Sequence, residues 1–162
     1  MTTGVSGEST IIGLISDTHG LLRPEALDAL AGVSLIVHAG DVGRGGILDR
    51  LGELAPVFAV RGNNDVTGAE ADLPDTQLVE TAGIRLLVTH ELNDALASEA
   101  HSSVCVVVTG HSHRPLIDER DGRLYVNPGS AGPRRFRLPV TVARISVDGE
   151  SVEAEIVSLI PT

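Results

Sequence analysis

"VVVTGHSHRP", residues 106–115, is a run of β-branched valines that ends in Thr-Gly and two histidines one residue apart. A run that is nearly all valine reads as a buried strand. On an extended backbone, residues i and i+2 point the same way. If the strand direction persists past Gly110, His111 and His113 lean toward one point. A solvated turn can also hold two histidines, so the rest of the chain has to decide.

The front half of the chain alternates. "TIIGLIS" at 10–16 is a short apolar run and reads as a buried strand. "PEALDALAG" at 24–32 opens on proline and closes on glycine, the usual asymmetry of a helix. "SLIVHAGD" at 34–41 is a second strand, "GGILDRLGEL" at 45–54 a second helix, and "VFAVRGNND" at 57–65 a third strand running into a Gly-Asn turn. Strand–helix–strand repeats imply parallel strands joined by right-handed crossovers. The back half adds strands at 84–91 and 104–111, with a helix expected between them at 92–101. Asp-Gly pairs then divide 115–126 and 140–160 into hairpins. The organisation expected is one α/β domain over 10–160 behind a flexible tail at 1–9.

Polar residues gather where these strands end. The first gives Asp17 and His19, the second Asp41, the third Asn63, Asn64 and Asp65, the fourth His90, and the fifth His111 and His113. In an open α/β sheet, ligands bind at the carboxyl ends of the strands. Five strands delivering metal-capable groups to one edge make His111 and His113 part of a shared site. Asp and His together suit borderline transition metals better than Mg or Ca. Asp17, His19, Asp41 and His113 make one set of four. Asp41, Asn63, His90 and His111 make another if Asp41 bridges. Two dications against two carboxylates leave positive charge for a bridging hydroxide and a phosphate oxygen. Water shared by two such ions ionises near neutral pH and supplies a nucleophile.

The blocks D-x-H (17–19), G-D (40–41), G-N (62–63), the lone His90 and G-H-x-H (110–113), with "SDTHG", "GNND", "TGHSHRP" and "VNPGS", resemble the calcineurin-like metallophosphoesterases and their small microbial phosphodiesterase branch. The resemblance spans about residues 11–146. It implies a four-layer sandwich of two mixed β-sheets flanked by helices, with the two-metal assignment above and Asp41 as the bridge. Manganese is the expected ion, with iron, zinc and nickel as alternatives. The implied activity is hydrolysis of a small soluble phosphodiester by a metal-bridging hydroxide.

Two departures stand out. Many members carry histidine after the G-N asparagine, where this chain has Asn64, and an amide transfers no proton at useful pH. Asn64 can still hydrogen-bond a phosphate oxygen or a leaving group. Glu91 stands where the family often has glycine. Asp65 is read either as a residue that orients a ligand or as a turn former. "PRRFR" at 133–137 is the one basic cluster, so Arg134 and Arg135 are candidate phosphate clamps. A solvated loop is the alternative. His38 reads as a satisfied core histidine.

Composition narrows the classes. The net charge is −10, with 12 Lys+Arg against 22 Asp+Glu. That opposes non-specific binding to long nucleic acids and to anionic membranes. Hydrophobic residues make up 42% and aromatics only 2%, so the core must be aliphatic. No run reaches the roughly 18 apolar residues of a membrane span. The start of the chain lacks a secretory pattern, and a cytoplasmic protein is the default expectation. A homo-oligomer is compatible with all of this. Competing functions are a protein-interaction scaffold, since a retromer subunit shares the fold, and a nuclease of the DNA-repair type.

Overall fold

The computed structural model describes residues 9–161. Of the tail expected at 1–9, only Ser9 falls within them. Among the described residues, ten strands form two mixed five-stranded sheets. Strands β1 (Thr10–Ile15), β2 (Leu35–His38) and β3 (Val57–Ala59) run parallel, and β9 (Thr141–Asp148) and β10 (Ser151–Ser158) complete the first sheet in the order β10-β9-β1-β2-β3. The second sheet has the order β4-β5-β6-β8-β7. Its strands are β4 (Thr76–Thr81), β5 (Ile84–Thr89), β6 (Val106–Val108), β7 (Leu116–Arg120) and β8 (Arg123–Asn127). Here β5, β6 and β8 are parallel, while β4 and β7 close the edges antiparallel.

The layers follow from the two-residue period of the strands. Ile12, Leu14, Leu35 and Val37 of the first sheet share one buried cluster with Leu86, Val88, Val106, Val108 and Val126 of the second. The alternate residues face outward. Ile15, Ile36 and Val142 pack beneath helices α1 (Pro24–Leu30) and α2 (Ile47–Gly52), against Ala26, Leu30, Ile47 and Leu51. Leu87, Val107 and Tyr125 pack against Ala95 of helix α3 (Leu92–Ala97). This is the expected four-layer sandwich. No helix among the described residues is long and apolar enough to cross a membrane.

Several elements differ from the sequence expectation. Strand β4 was not anticipated. It pairs with β5 through Ala82 and Gly83, both at positive φ (52° and 80°), a hairpin turn without the Asn-Gly or Asp-Gly signal. The helix expected over 92–101 stops at Ala97, because Ser98 is extended (φ −73°, ψ 139°). The Ser98 hydroxyl then accepts from the Ala100 N–H and starts a separate 3-10 turn at Glu99–Ser103. The third strand ends at Ala59, a few residues before the expected Gly-Asn turn. Helix α2 begins at Ile47, behind Gly45 and Gly46 at φ 104° and 70°.

Candidate metal centre

All the sequence-expected ligands lie in loops that leave the carboxyl ends of parallel strands. Asp17 follows β1, Asp41 follows β2, Asn63 follows β3, His90 follows β5, and His111 and His113 follow β6. Five of them hold left-handed backbone: Asp17 at φ 55°, His19 at 46°, Asp41 at 55°, His111 at 72° and His113 at 64°. Each such residue costs on the order of 1 kcal/mol in an L-amino acid. The surrounding contacts must therefore hold them there. At His111 and His113 the turn also breaks the strand direction, so the two rings do not aim at one point. They diverge into two neighbouring groups.

The first group centres on Asp17, which is fully buried. Its Oδ2 accepts from the Ser16 hydroxyl (2.7 Å) and the His111 N–H (3.1 Å). Its Oδ1 is buried with no hydrogen-bond partner among the described residues. That oxygen lies 3.4 Å from His113 Nε2, 3.8 Å from His19 Nε2 and 3.9 Å from His90 Nε2. His19 Nε2 is likewise buried and unpartnered. It sits 3.7 Å from Asp41 Oδ2, which in turn is 3.3 Å from His90 Nε2. Asn63 Oδ1 is 3.0 Å from His90 Nε2 and 3.2 Å from His111 Nδ1. Ligand atoms of Asp17, His19 and His113 lie within 4.8 Å of one another, as do those of Asp17, Asp41 and His90.

A buried carboxylate oxygen without a donor, ringed by imidazole nitrogens, fits a cation better than any other occupant. Asp41 meets His19 and His90, one from each expected set, as a shared ligand must. Asp17 was expected in the first set alone, yet it also reaches His90.

Second contacts orient the rings. His90 Nδ1 is 2.7 Å from the Ala39 carbonyl, which can only accept. Nδ1 therefore carries a proton, and Nε2 faces Asp41 and Asn63. Burial alone would lower the His90 pKa, but the Asp41 carboxylate, the Ala39 carbonyl and the Asp17 charge raise it above its ordinary value. His19 goes the other way. Its burial outweighs Asp41 and Asp17, and the Arg135 charge adds to the lowering. Burial pushes the Asp41 carboxyl up, yet His90 and the Asn64 amides hold it well below the usual range.

Two glycines let these loops touch. A Cβ at Gly62 would collide with the Asp41 amide and carboxylate, and one at Gly110 with the Ser16 hydroxyl and Asp17. This is the physical content of the G-N and G-H blocks.

The remaining sequence candidates fall in different places. Asn64 donates to Asp41 twice, from its backbone N–H (2.8 Å) and its side-chain amide (3.0 Å). Its amide is turned to a carboxylate rather than outward. Asp65 is buried and accepts the N–H groups of Val42 (3.1 Å), Gly43 (3.1 Å) and Gly62 (2.9 Å), tying the loops after β2 and β3 together. Arg134 and Arg135 are both exposed. Arg134 donates to the Pro161 carbonyl (3.2 Å), while the Arg135 charge acts on His19.

Sequence reasoning missed the bracing role of Asn127. It donates to the Gly110 carbonyl (3.0 Å) and the Ser112 hydroxyl (3.1 Å) and accepts from the Gly129 N–H (2.9 Å). Ser130, in the same turn, donates to the Asp17 carbonyl (3.0 Å). The "NPGS" turn carried this signal, because an asparagine at a strand end is a side-chain hydrogen-bonding residue before it is a turn former.

His38 is the core histidine expected. Its Nδ1 accepts the Gly40 N–H (3.1 Å), so Nε2 carries the proton toward Thr18 Oγ1 (2.9 Å), and that hydroxyl donates to the Val42 carbonyl (2.7 Å). Burial lowers the ring's pKa to about 4 from 6.5. A group depressed in the fold contributes stability that is present above the unfolded value and lost as pH falls toward the folded one. In an NMR titration the His38 ring is expected to stay neutral at pH 5.5. Its contribution to stability is expected to decline between about pH 6.5 and 4.

The calcineurin-like phosphoesterase superfamily domain matches residues 11–150. A probable metallophosphoesterase of Methanocaldococcus jannaschii is 35% identical over 96% of this chain and 84% of its own. A phosphodiesterase of the same organism is 28% identical over 73% of this chain and 82% of its own. Among solved structures, the Vps29 of Entamoeba histolytica complexed with zinc superposes with a TM-score of 0.71 at 20% identity, covering 93% of this chain and 100% of that one. With the fold, the loop-borne ligands and these matches together, the chain belongs to the calcineurin-like phosphoesterase superfamily.

Proposed function

We propose that the chain is a metal-dependent phosphodiesterase acting on a small phosphodiester, with two divalent transition metal ions, manganese first among them. The observation that carries the reading is Asp17 Oδ1, buried without a donor and facing the histidines of both sets. The fold allows this reading, and the name of the Methanocaldococcus phosphodiesterase supports it. When bound, two such ions supply an ionised water as nucleophile and Lewis acidity at the phosphate.

The chain's own residues then have distinct tasks. Asp17, His19, Asp41 and His113 hold one position. Asp41, Asn63, His90 and His111 hold the other. Asn64 keeps the Asp41 carboxylate aligned through two hydrogen bonds. Asp65 holds the loops of Asp41 and Asn63 at a fixed spacing through three amides. Arg135, an exposed residue whose charge reaches His19, is the candidate cation for a phosphate oxygen. A protein-interaction scaffold is the second reading, favoured by the Vps29 likeness. Turnover of bis(p-nitrophenyl) phosphate by metal-loaded protein separates the two, because a scaffold shows none above free metal.

Elemental analysis of manganese-loaded protein is expected to give two equivalents per chain. Asp41→Ala loses both ions, because its carboxylate faces both sets. His113→Ala loses mainly one. A constant value of one across several metals defeats the two-metal reading.

The two arginines are expected to differ. Arg135→Ala raises KM for a phosphodiester about tenfold with metal content unchanged, the signature of a lost ground-state contact. Arg134→Ala, whose guanidinium is engaged at Pro161, changes KM less than about twofold. Equal effects would show that the loop acts without a specific clamp.

The Asn64 amide is turned to Asp41 and, being an amide, supplies no proton to a leaving oxygen. A poor leaving group needs that proton most. Values of kcat/KM across a series of diesters are expected to fall steeply as leaving-group pKa rises. Asn64→His is expected to help alkyl esters more than aryl ones, by up to the roughly 10²-fold at the low end of general acid catalysis. A flat series in the wild type would mean that a proton donor is already in place.

A further inference from the structure

Glu91 stands between two cavities that flank the candidate metal centre. One, of about 680 Å3, opens beside Asn63 and His90 and reaches Arg61, Asp75 and Asp94. The other, of about 580 Å3, opens beside His111 and reaches Arg114 and Asn127. Glu91 lines both.

Its backbone is pinned. The Glu91 carbonyl accepts from the Thr89 hydroxyl (2.8 Å) and from the N–H groups of Asp94 (3.2 Å) and Ala95 (3.4 Å) at the start of α3. Its carboxylate lies 3.7 Å from His111 Nε2, on the side of the ring opposite Asn63. The guanidinium in the larger cavity, Arg61, is already bound to Asp75 at 2.7 Å. Glu91 therefore places a negative charge at the rim of the site, with an imidazole as its nearest partner.

We infer that Glu91 sets the charge selectivity of the site, disfavouring phosphomonoester dianions relative to diester monoanions. The inference rests on the phosphodiesterase reading above and names the substrate charge class for that site. Two divalent ions against the Asp17 and Asp41 carboxylates leave two positive charges. One anionic nucleophile and one diester monoanion would balance them. A monoester dianion exceeds that balance by one charge, and its additional charge meets the Glu91 carboxylate in a partly dehydrated cleft. Repulsion between like charges there is weaker than in a dry interior and stronger than in bulk water. A selectivity of about tenfold is the scale expected for a half-exposed group. Asn93, Ser112 and the other neutral residues of the second cavity accept a neutral ester arm without such opposition.

The test compares wild-type protein with Glu91→Gln, which keeps shape and removes charge, and Glu91→Gly, which removes the side chain. The first readout is the ratio of kcat/KM for bis(p-nitrophenyl) phosphate to that for p-nitrophenyl phosphate. That ratio is expected to fall about tenfold in both variants, with metal content equal to wild type. The second readout is calorimetric binding of inorganic phosphate and of diethyl phosphate to manganese-loaded protein at pH 8. The variants are expected to tighten phosphate relative to diethyl phosphate by a similar factor. An unchanged ratio in Glu91→Gln overturns the inference. So does a parallel loss of both rates together with metal, because Glu91 would then only position His111. Wild-type protein inert to both esters overturns the phosphodiesterase reading instead, and the calorimetric ratio still decides the role of Glu91.

Discussion

Asp17 places one carboxylate oxygen in the interior of the protein with no hydrogen-bond donor among the described residues. A carboxylate buried without compensation is among the most unfavourable arrangements a fold can hold. Much of the surrounding architecture keeps that oxygen in place and surrounds it with nitrogen. The Ser16 hydroxyl and the His111 N–H occupy its other oxygen, and Ser130 holds its backbone carbonyl. Glycine at 110 lets the histidine loop approach it without collision. Two sheets meet at this point, and each brings parallel strands whose carboxyl ends deliver the loops. Without the inter-sheet contact of β1 and β2 with β5 and β6, Asp17 and His90 would have no reason to be neighbours.

That dependence explains what was legible in the sequence. The buried strands announced themselves as short β-branched runs, and their ends carried the Asp, Asn and His residues that now converge. Order along the chain was enough for that, because parallel strands place their carboxyl ends at the same edge. The assignment of strands to two facing sheets came from the family resemblance and not from periodicity. Strand β4 escaped notice because its turn uses Ala82-Gly83, and alanine is an uncommon residue for left-handed backbone. The break at Ser98 was hidden for a related reason: a serine can continue a helix or cap the next one, and only its contact with Ala100 decides.

Within the site, residue types were more legible than residue roles. Asn64 and Asp65 share one turn, yet one aligns a candidate ligand and the other ties two loops by accepting three amides. A carboxylate one residue from a metal-binding motif invites a catalytic reading. Its geometry points to a mechanical task, because the three hydrogen bonds it accepts all come from backbone amides. His38 makes the complementary case. It lies three residues from Asp41, but both ring nitrogens are committed and burial keeps it neutral. The distinction between His38 and His90 lies in partners across the sheet, which no local pattern reports.

The strain and the charge of the site have a common consequence. Five candidate ligands hold left-handed backbone, and two carboxylates face the same small volume. The local field is strong enough to raise the pKa of His90 against the effect of its own burial. Imidazoles are the groups that face these carboxylates in the protein alone. A divalent ion would compensate the carboxylates at several ligands at once, and its binding would require neutral imidazoles. The braces contributed by Asn127, Ser130 and Asp65 are neutral or backbone-directed, so they do not depend on that charge. The donor geometry is set by the fold, and the charge within it is left for a cation to settle.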